Sequence, residues 1–216
     1  PEVARVLVET AKARLMLGEI DEAEGLTNRA IEILAKSVGT ADLRYGAALA
    51  QRARNLLGKG ANTDALAAAE LAVEVPIMSQ SLRHDLDHGW YLGLVGDARA
   101  ALGDTTGALA TWEKAKIYLY VDAPRVWPLV WQGALLIDTG KAKDGLARLD
   151  DARRELDEHL AKDDARRIEA LCAIGRAEHR ADKLAAARKT LESALVIAEA
   201  KLGFGPRTSL VQWDLA

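Results

Sequence analysis

Several residue types and patterns are scarce in this chain, and each scarcity excludes something. Cys172 is the single cysteine, which excludes an internal disulfide and a thiolate-rich zinc cluster, so a reducing, cytoplasmic setting is expected. Phenylalanine occurs once, and aromatic residues make up only 5% of the sequence. No apolar run approaches the ~20 residues that cross a bilayer as a helix, so no membrane partner is expected. A basic surplus is missing too: 29 Lys and Arg stand against 32 Asp and Glu, for a net charge of -3. Nucleic-acid binding draws on an excess of cations that displace counterions, so no nucleic-acid partner is expected. Glycine-rich phosphate loops, kinase signatures and nucleophile elbows are absent. No cofactor and no catalytic residue is expected, and the chain reads as non-enzymatic. It shows no secretory signal and starts at Pro1 without a methionine, so it reads as a segment of a larger protein that could carry other domains.

What is abundant is alanine and leucine, within a chain that is 50% hydrophobic and 28% charged. That balance suits a packed helical protein. The chain also repeats itself. Five segments share a small residue, a turn residue seven positions on, a second small residue five further, then a large residue and another small one. The first reads Ala11, Gly18, Ala23, Thr27, Ala30, and the second Ala53, Gly60, Ala65, Ala69, Ala72. The third gives Gly96, Gly103, Ala108, Trp112, Ala115, the fourth Gly133, Gly140, Gly145, Leu149, Ala152, and the fifth Gly175, Asp182, Ala187, Leu191, Ala194. Successive copies of the second small residue lie 42, 43, 37 and 42 residues apart.

The pattern has a physical reading. Small residues allow two antiparallel helices to approach closely where they cross, and the turn residue accepts a left-handed backbone past the end of the first helix. Acidic and polar residues that follow (Asp21, Asp64, Asp104, Asp144) suit the N-terminus of the next helix. Each unit is a helical hairpin that buries its apolar face only by stacking on neighbours. Helix pairs are expected near 2–17 and 20–37, 41–57 and 63–75, 80–102 and 105–119, 124–139 and 142–160, and 164–181 and 184–202. A further helix is expected near 206–216, with Leu210, Val211 and Leu215 on an apolar side that lacks a following partner. Pro128 falls about one turn into the seventh helix, which predicts either a later start or a distorted first turn.

On these residues the chain resembles the tetratricopeptide repeat (TPR) family. A period near 42 is similar to the longer repeats of kinesin light chains and of the C-terminal regions of bacterial signalling proteins such as serine/threonine kinases. The resemblance implies an all-α fold, a right-handed α-α superhelix of about five hairpins plus one terminal helix. It implies one solenoid over 1–216, with repeats near 1–39, 40–79, 80–122, 123–162 and 163–203. It also implies a non-catalytic protein- or peptide-binding scaffold in which the first helix of each hairpin lines the concave face. A ligand-sensing module controlling an attached output domain and a self-associating array, joined through its terminal repeats, are the alternatives.

Counting from the small residues, the inward positions include Lys12, Ala47, Gln51, Arg54, Trp90, Leu94, Asp97, Trp127, Trp131, Asp138, Arg176 and Arg180. Trp90, Trp127 and Trp131 place three of five tryptophans on this face, and tryptophan and arginine are favoured at binding hot spots. Lys12, Arg54, Arg176 and Arg180 could meet acidic groups of a partner. Chaperone-tail binders of the family use a lysine and asparagine clamp, which Val8, Lys12 and Gln51 do not reproduce. Trp112 is expected in the core between paired helices, and Cys172 as a buried thiol. His84-Asp85-Leu86-Asp87-His88 is the one segment that resembles a metal site, but the spacing of its two histidines is a weak signal and no metal is expected.

Overall fold

The computed structural model describes residues 1–75, 82–120, 123–203, 205, 208–209 and 211–212. The helices among them are α1 (Glu2–Met16), α2 (Ile20–Ser37), α3 (Leu43–Lys59), α4 (Asn62–Glu74), α5 (Leu82–Ala101), α6 (Thr105–Ala115), α7 (Trp127–Asp138), α8 (Ala142–His159), α9 (Arg167–Arg180) and α10 (Leu184–Leu202). No strand occurs among the described residues. They pair as hairpins: α1 with α2, α3 with α4, α5 with α6, α7 with α8 and α9 with α10. Two compact units divide the chain, Pro1–Tyr118 with the first three hairpins and Leu119–Ala216 with the last two.

The expected turn residues do what the pattern requires. Gly103 closes the turn between α5 and α6 at φ +82, and Asp182, which stands where the other repeats have glycine, reaches φ 58. Asp104 then caps α6 by accepting a bond of 2.8 Å from the Gly107 amide. At the hairpin crossings the small residues are fully enclosed: Ala11, Ala23, Ala53, Ala65 and Ala108 have no exposed surface. In the fourth hairpin Gly133 and Gly145 face each other so closely that a Cβ on Gly145 would lie 2.6 Å from the Gly133 carbonyl oxygen.

Trp112 is core, as expected. It is 3% exposed, its Nε1 donates to the Gly93 carbonyl over 3.1 Å, and its indole covers Gly96, whose missing side chain makes the room. Cys172 is buried. Several boundaries differ from expectation. A 3-10 turn, Ala123–Val126, precedes α7, and Pro128 sits in the first turn of that helix, where its missing N–H costs no hydrogen bond. The seventh helix therefore starts later than 124. Likewise α9 begins at Arg167 rather than 164, because Asp164 accepts from the Arg166 amide at 2.8 Å and holds a turn there.

In the second unit Arg167 is buried and donates to the carbonyls of Leu156 (2.9 Å) and Leu160 (3.2 Å) at the end of α8. A guanidinium there satisfies acceptors that the helix cannot satisfy itself and opposes the negative end of its dipole. Val211 departs from the expectation of an unpartnered apolar side: it is 2% exposed and belongs to the core with Ile174, Leu191 and Ala198. Leu210 and Leu215 lie outside the described residues.

Candidate functional site

In the first unit α1, α3 and α5 lie side by side, and their repeat register aligns Lys12, Arg54 and Asp97, each one residue after the first small residue of its repeat. Lys12 is exposed and pairs with Glu9 one turn away at 2.7 Å. Such an exposed pair contributes ~1 kcal/mol or less, so Lys12 remains able to exchange partners.

Arg54 and Asp97 are different. Both are partly buried. They feel each other's charge across α3 and α5. Among the described residues neither makes a hydrogen bond or a direct ion pair. Asp97 keeps some accessible surface, yet protein surrounds it deeply enough that burial pushes its carboxyl up to about 7, against the opposing pull of Arg54. Burial likewise lowers the Arg54 guanidinium, offset in part by Tyr91 and Asp97. Both charged forms are thus held in a poorly solvated place without full compensation. Tyr91, which the repeat register did not single out, belongs to this cluster; its ring also lies 3.5 Å from where a Cβ on Gly46 of α3 would stand.

Two expected groove residues of this unit go elsewhere. Leu94 is 7% exposed and packs with Leu49, Ala53 and Val95, because α5 is covered by α3, α4 and α6 and little of its circumference stays open. Gln51 is 0% exposed. Its Nε2 donates to Asn55 at 2.8 Å, and Asn55 donates to Thr27 of α2 at 2.9 Å, which makes it part of the seam between the first two hairpins. Ala47 stays exposed and Trp90 is partly buried. The side chains of His84 and Asp85 lie outside the described residues, and among those described no cluster could hold a metal ion.

In the second unit α7 lies beside α9. Trp127 and Trp131 are both partly exposed, and their rings stack with centroids 6.3 Å apart and planes 29° apart. Trp127 also packs on the core of this unit. Lower on the same helix, Asp138 accepts a bond of 2.8 Å from Arg180 of α9. Both are exposed, and Arg176 is exposed one turn before Arg180. The structure therefore brings Trp127 with Trp131, and Asp138 with Arg180. Arg180, expected as a cation for a partner, already holds a carboxylate of its own chain.

No protein-family model matches the chain, and no curated protein matches it in sequence. Solved structures do match in shape. A kinesin light chain-like protein of Podospora anserina built of nearly identical TPR-like repeats aligns at a TM-score of 0.64 and 17% identity, covering 92% of this chain and 95% of that one. A Rap protein, solved in complex with competence and sporulation factor, aligns at 0.66 and 16% identity, covering 99% of this chain and 62% of that chain. A thermophilic TPR protein of Thermus thermophilus aligns at 0.60 and 19% identity, covering 97% and 99%. The likeness is one of fold: the chain is an all-α, TPR-like helical-repeat protein. Among the described residues no helix is long and apolar enough to cross a membrane.

Proposed function

We propose that this chain is a non-catalytic scaffold that holds a protein or peptide on the faces of its first helices, within a bacterial signalling or regulatory protein of the cytoplasm. The observation that carries the reading is the stacked, partly exposed Trp127–Trp131 pair on α7. Two rigid rings held at a helix surface supply contact area at small entropic cost, the property that concentrates binding energy in tryptophan. A second reading, a module that senses a small peptide and controls an attached output domain, draws on the likeness to the Rap protein solved with competence and sporulation factor.

A phage-displayed random peptide library panned on the chain tests the first reading. Binders are expected whose affinity falls at least about tenfold in the Trp127→Ala, Trp131→Ala variant, roughly the loss of one hot spot. Acrylamide quenching should locate the same rings at the surface, with strong quenching lost in the Trp127→Phe, Trp131→Phe variant. Binders indifferent to both substitutions, or no binders, would overturn it.

A further inference from the structure

We propose that the outer side of α1 is a docking surface for a partner's amphipathic helix, laid antiparallel to α1 and apolar along its whole contact line. The surface belongs to the first unit and is independent of the tryptophan pair on α7.

Exposure and repeat register define the line together. Val3 is 58% exposed, Val6 56% and Leu17 70%, and Ala13 is exposed between them. All four fall on one side of α1, opposite the buried Ala4, Val8 and Ala11. Thr10, on the same side, gives its hydroxyl to the Val6 carbonyl at 2.9 Å and needs no bond from a partner. Neighbouring charges are likewise paired within the chain, Glu2 with Arg5, Glu9 with Lys12 and Arg14 with Glu19. An outer face that meets water in a repeat array is normally polar. This one is not.

Other first helices show what such a line receives. In the repeat register Val6, Ala13 and Leu17 correspond to Ala48, Asn55 and Lys59 of α3, where α2 packs. Ala48 is buried with Ala30 and Leu34, Asn55 donates to Thr27 at 2.9 Å, and Lys59 reaches Asp21 at 3.0 Å and Glu24 at 2.9 Å. These contacts pass from the end of α2 to its start as α3 advances, so the two helices are antiparallel. On α5 the counterpart of Ala13 is Ala98, fully buried with Ala68, Ala69 and Ala72 of α4. The counterpart of Met16 is Ala101, whose carbonyl accepts from Asn62 of α4 at 3.2 Å. On α9 the counterparts of Val6 and Ala13 are Ala170 and Ala177, and both are buried. The line is covered on α3, α5 and α9 and open on α1.

Charge then selects the partner. α2 carries Asp21 and Glu24 against α3 because Lys59 answers them. Leu17 stands in the place of Lys59 on α1, so a carboxylate brought there would lose water and gain no cation. The helix that fits α1 keeps small and aliphatic residues where α2 has Thr27, Ala30 and Leu34, and has apolar residues in place of the two acids. Such a helix binds through side chains one turn apart along one face.

The test is an NMR titration of the whole chain, labelled in the methyl groups of valine and leucine. The probes are two 18-residue peptides with the sequence of α2, both carrying Gly25→Ala for helicity. One keeps Asp21 and Glu24, and the other carries Asp21→Leu and Glu24→Leu. The apolar peptide should shift the Val3, Val6 and Leu17 methyl signals together, with a midpoint on the order of 100 μM for one short helix. The acidic peptide should bind at least about tenfold more weakly. In the chain, Val6→Glu with Leu17→Glu should weaken the apolar peptide at least about tenfold, with helical circular dichroism unchanged because both sites are exposed. If that variant fails to fold, the comparison of the two peptides on the native chain decides. Equal binding of the two peptides, or no shift at these methyls, would overturn the proposal. So would methyl shifts on diluting the chain alone, which would give the line to a second copy.

Discussion

Two glycine-to-alanine substitutions in the first unit should change stability in opposite directions. Gly25 lies within α2 on its exposed side, and a Cβ there meets nothing within 4 Å. Alanine at that site gains only helix propensity, so Gly25→Ala should stabilise by about 0.5–1 kcal/mol. Gly96 lies within α5, where the same Cβ would stand 2.0 Å from Nε1 and 2.4 Å from Cδ1 of Trp112. An exposed indole could swing aside, but this one is 3% exposed and tied to the Gly93 carbonyl. Overpacking costs about 1–3 kcal/mol and the strained indole bond about 1 more, against the same propensity gain of about 1. Gly96→Ala should therefore destabilise by roughly 1–3 kcal/mol. Urea unfolding followed by helical circular dichroism measures both, and the slope should stay constant while the midpoint moves. Trp112→Leu makes room, so a double-mutant cycle with Gly96→Ala should show a coupling of at least about 1 kcal/mol. If Gly96→Ala is neutral or stabilising, or if the cycle closes without coupling, the indole is not wedged on Gly96 and the close-crossing account of the repeat fails.

Other tests reach the turns, the crossings and the buried charge. Gly103→Val should cost about 1–2 kcal/mol through backbone strain alone, since φ is +82 and a Cβ has open space; an unchanged melting temperature would contradict the left-handed turn. Asp182→Gly should gain up to about 1 kcal/mol by relieving φ 58 at the equivalent site of the fifth repeat, and a loss would show that the aspartate has a role beyond the turn. Ala108→Trp should unfold or strongly destabilise the third hairpin, because Ala108 has no exposed surface, and a fully stable variant would refute the repeat phase. Asp97 holds its proton to about pH 7 when folded, with Arg54 and Tyr91 the charged or polar groups that share its place, while the unfolded carboxyl loses it near 4. Between those values the folded state binds more protons, so stability should fall as pH rises, by a few kcal/mol at most, and Asp97→Asn should flatten that slope. Asp42, Asp163 and Asp164 are all held low by arginine or lysine partners and act below pH ~4, with the opposite sign, so a slope that survives Asp97→Asn between 4 and 7 would refute the assignment.

The hairpins were legible because their determinants are local and recur. A glycine or aspartate seven residues after a small residue fixes the turn, and the alanines and glycines of the crossings admit no other packing. The eighth and tenth helices needed no more than this register. Boundaries set by single hydrogen bonds were less legible. Asp164 looks like any charged residue ahead of a helix until its oxygen is seen to take the Arg166 amide. Exposure on the first helices was harder still. Every first helix packs on its own second helix, and α3 and α5 also contact neighbouring hairpins on other sides. The open arc is therefore narrower than the run of inward positions, so Gln51 and Leu94 turn into seams while Arg54 and Asp97 remain at the edge. Charge, read in register, was a clue the residue-by-residue count passed over. Asp138 with Arg180 and Arg54 with Asp97 each set opposite charges at matching positions of helices that the fold places side by side. Only coordinates tell which pair closes, and the difference has a physical cause. The exposed pair can adjust long solvated side chains until they touch at little cost. The partly buried pair stays apart, and for each of its groups burial outweighs the pull of the other's charge.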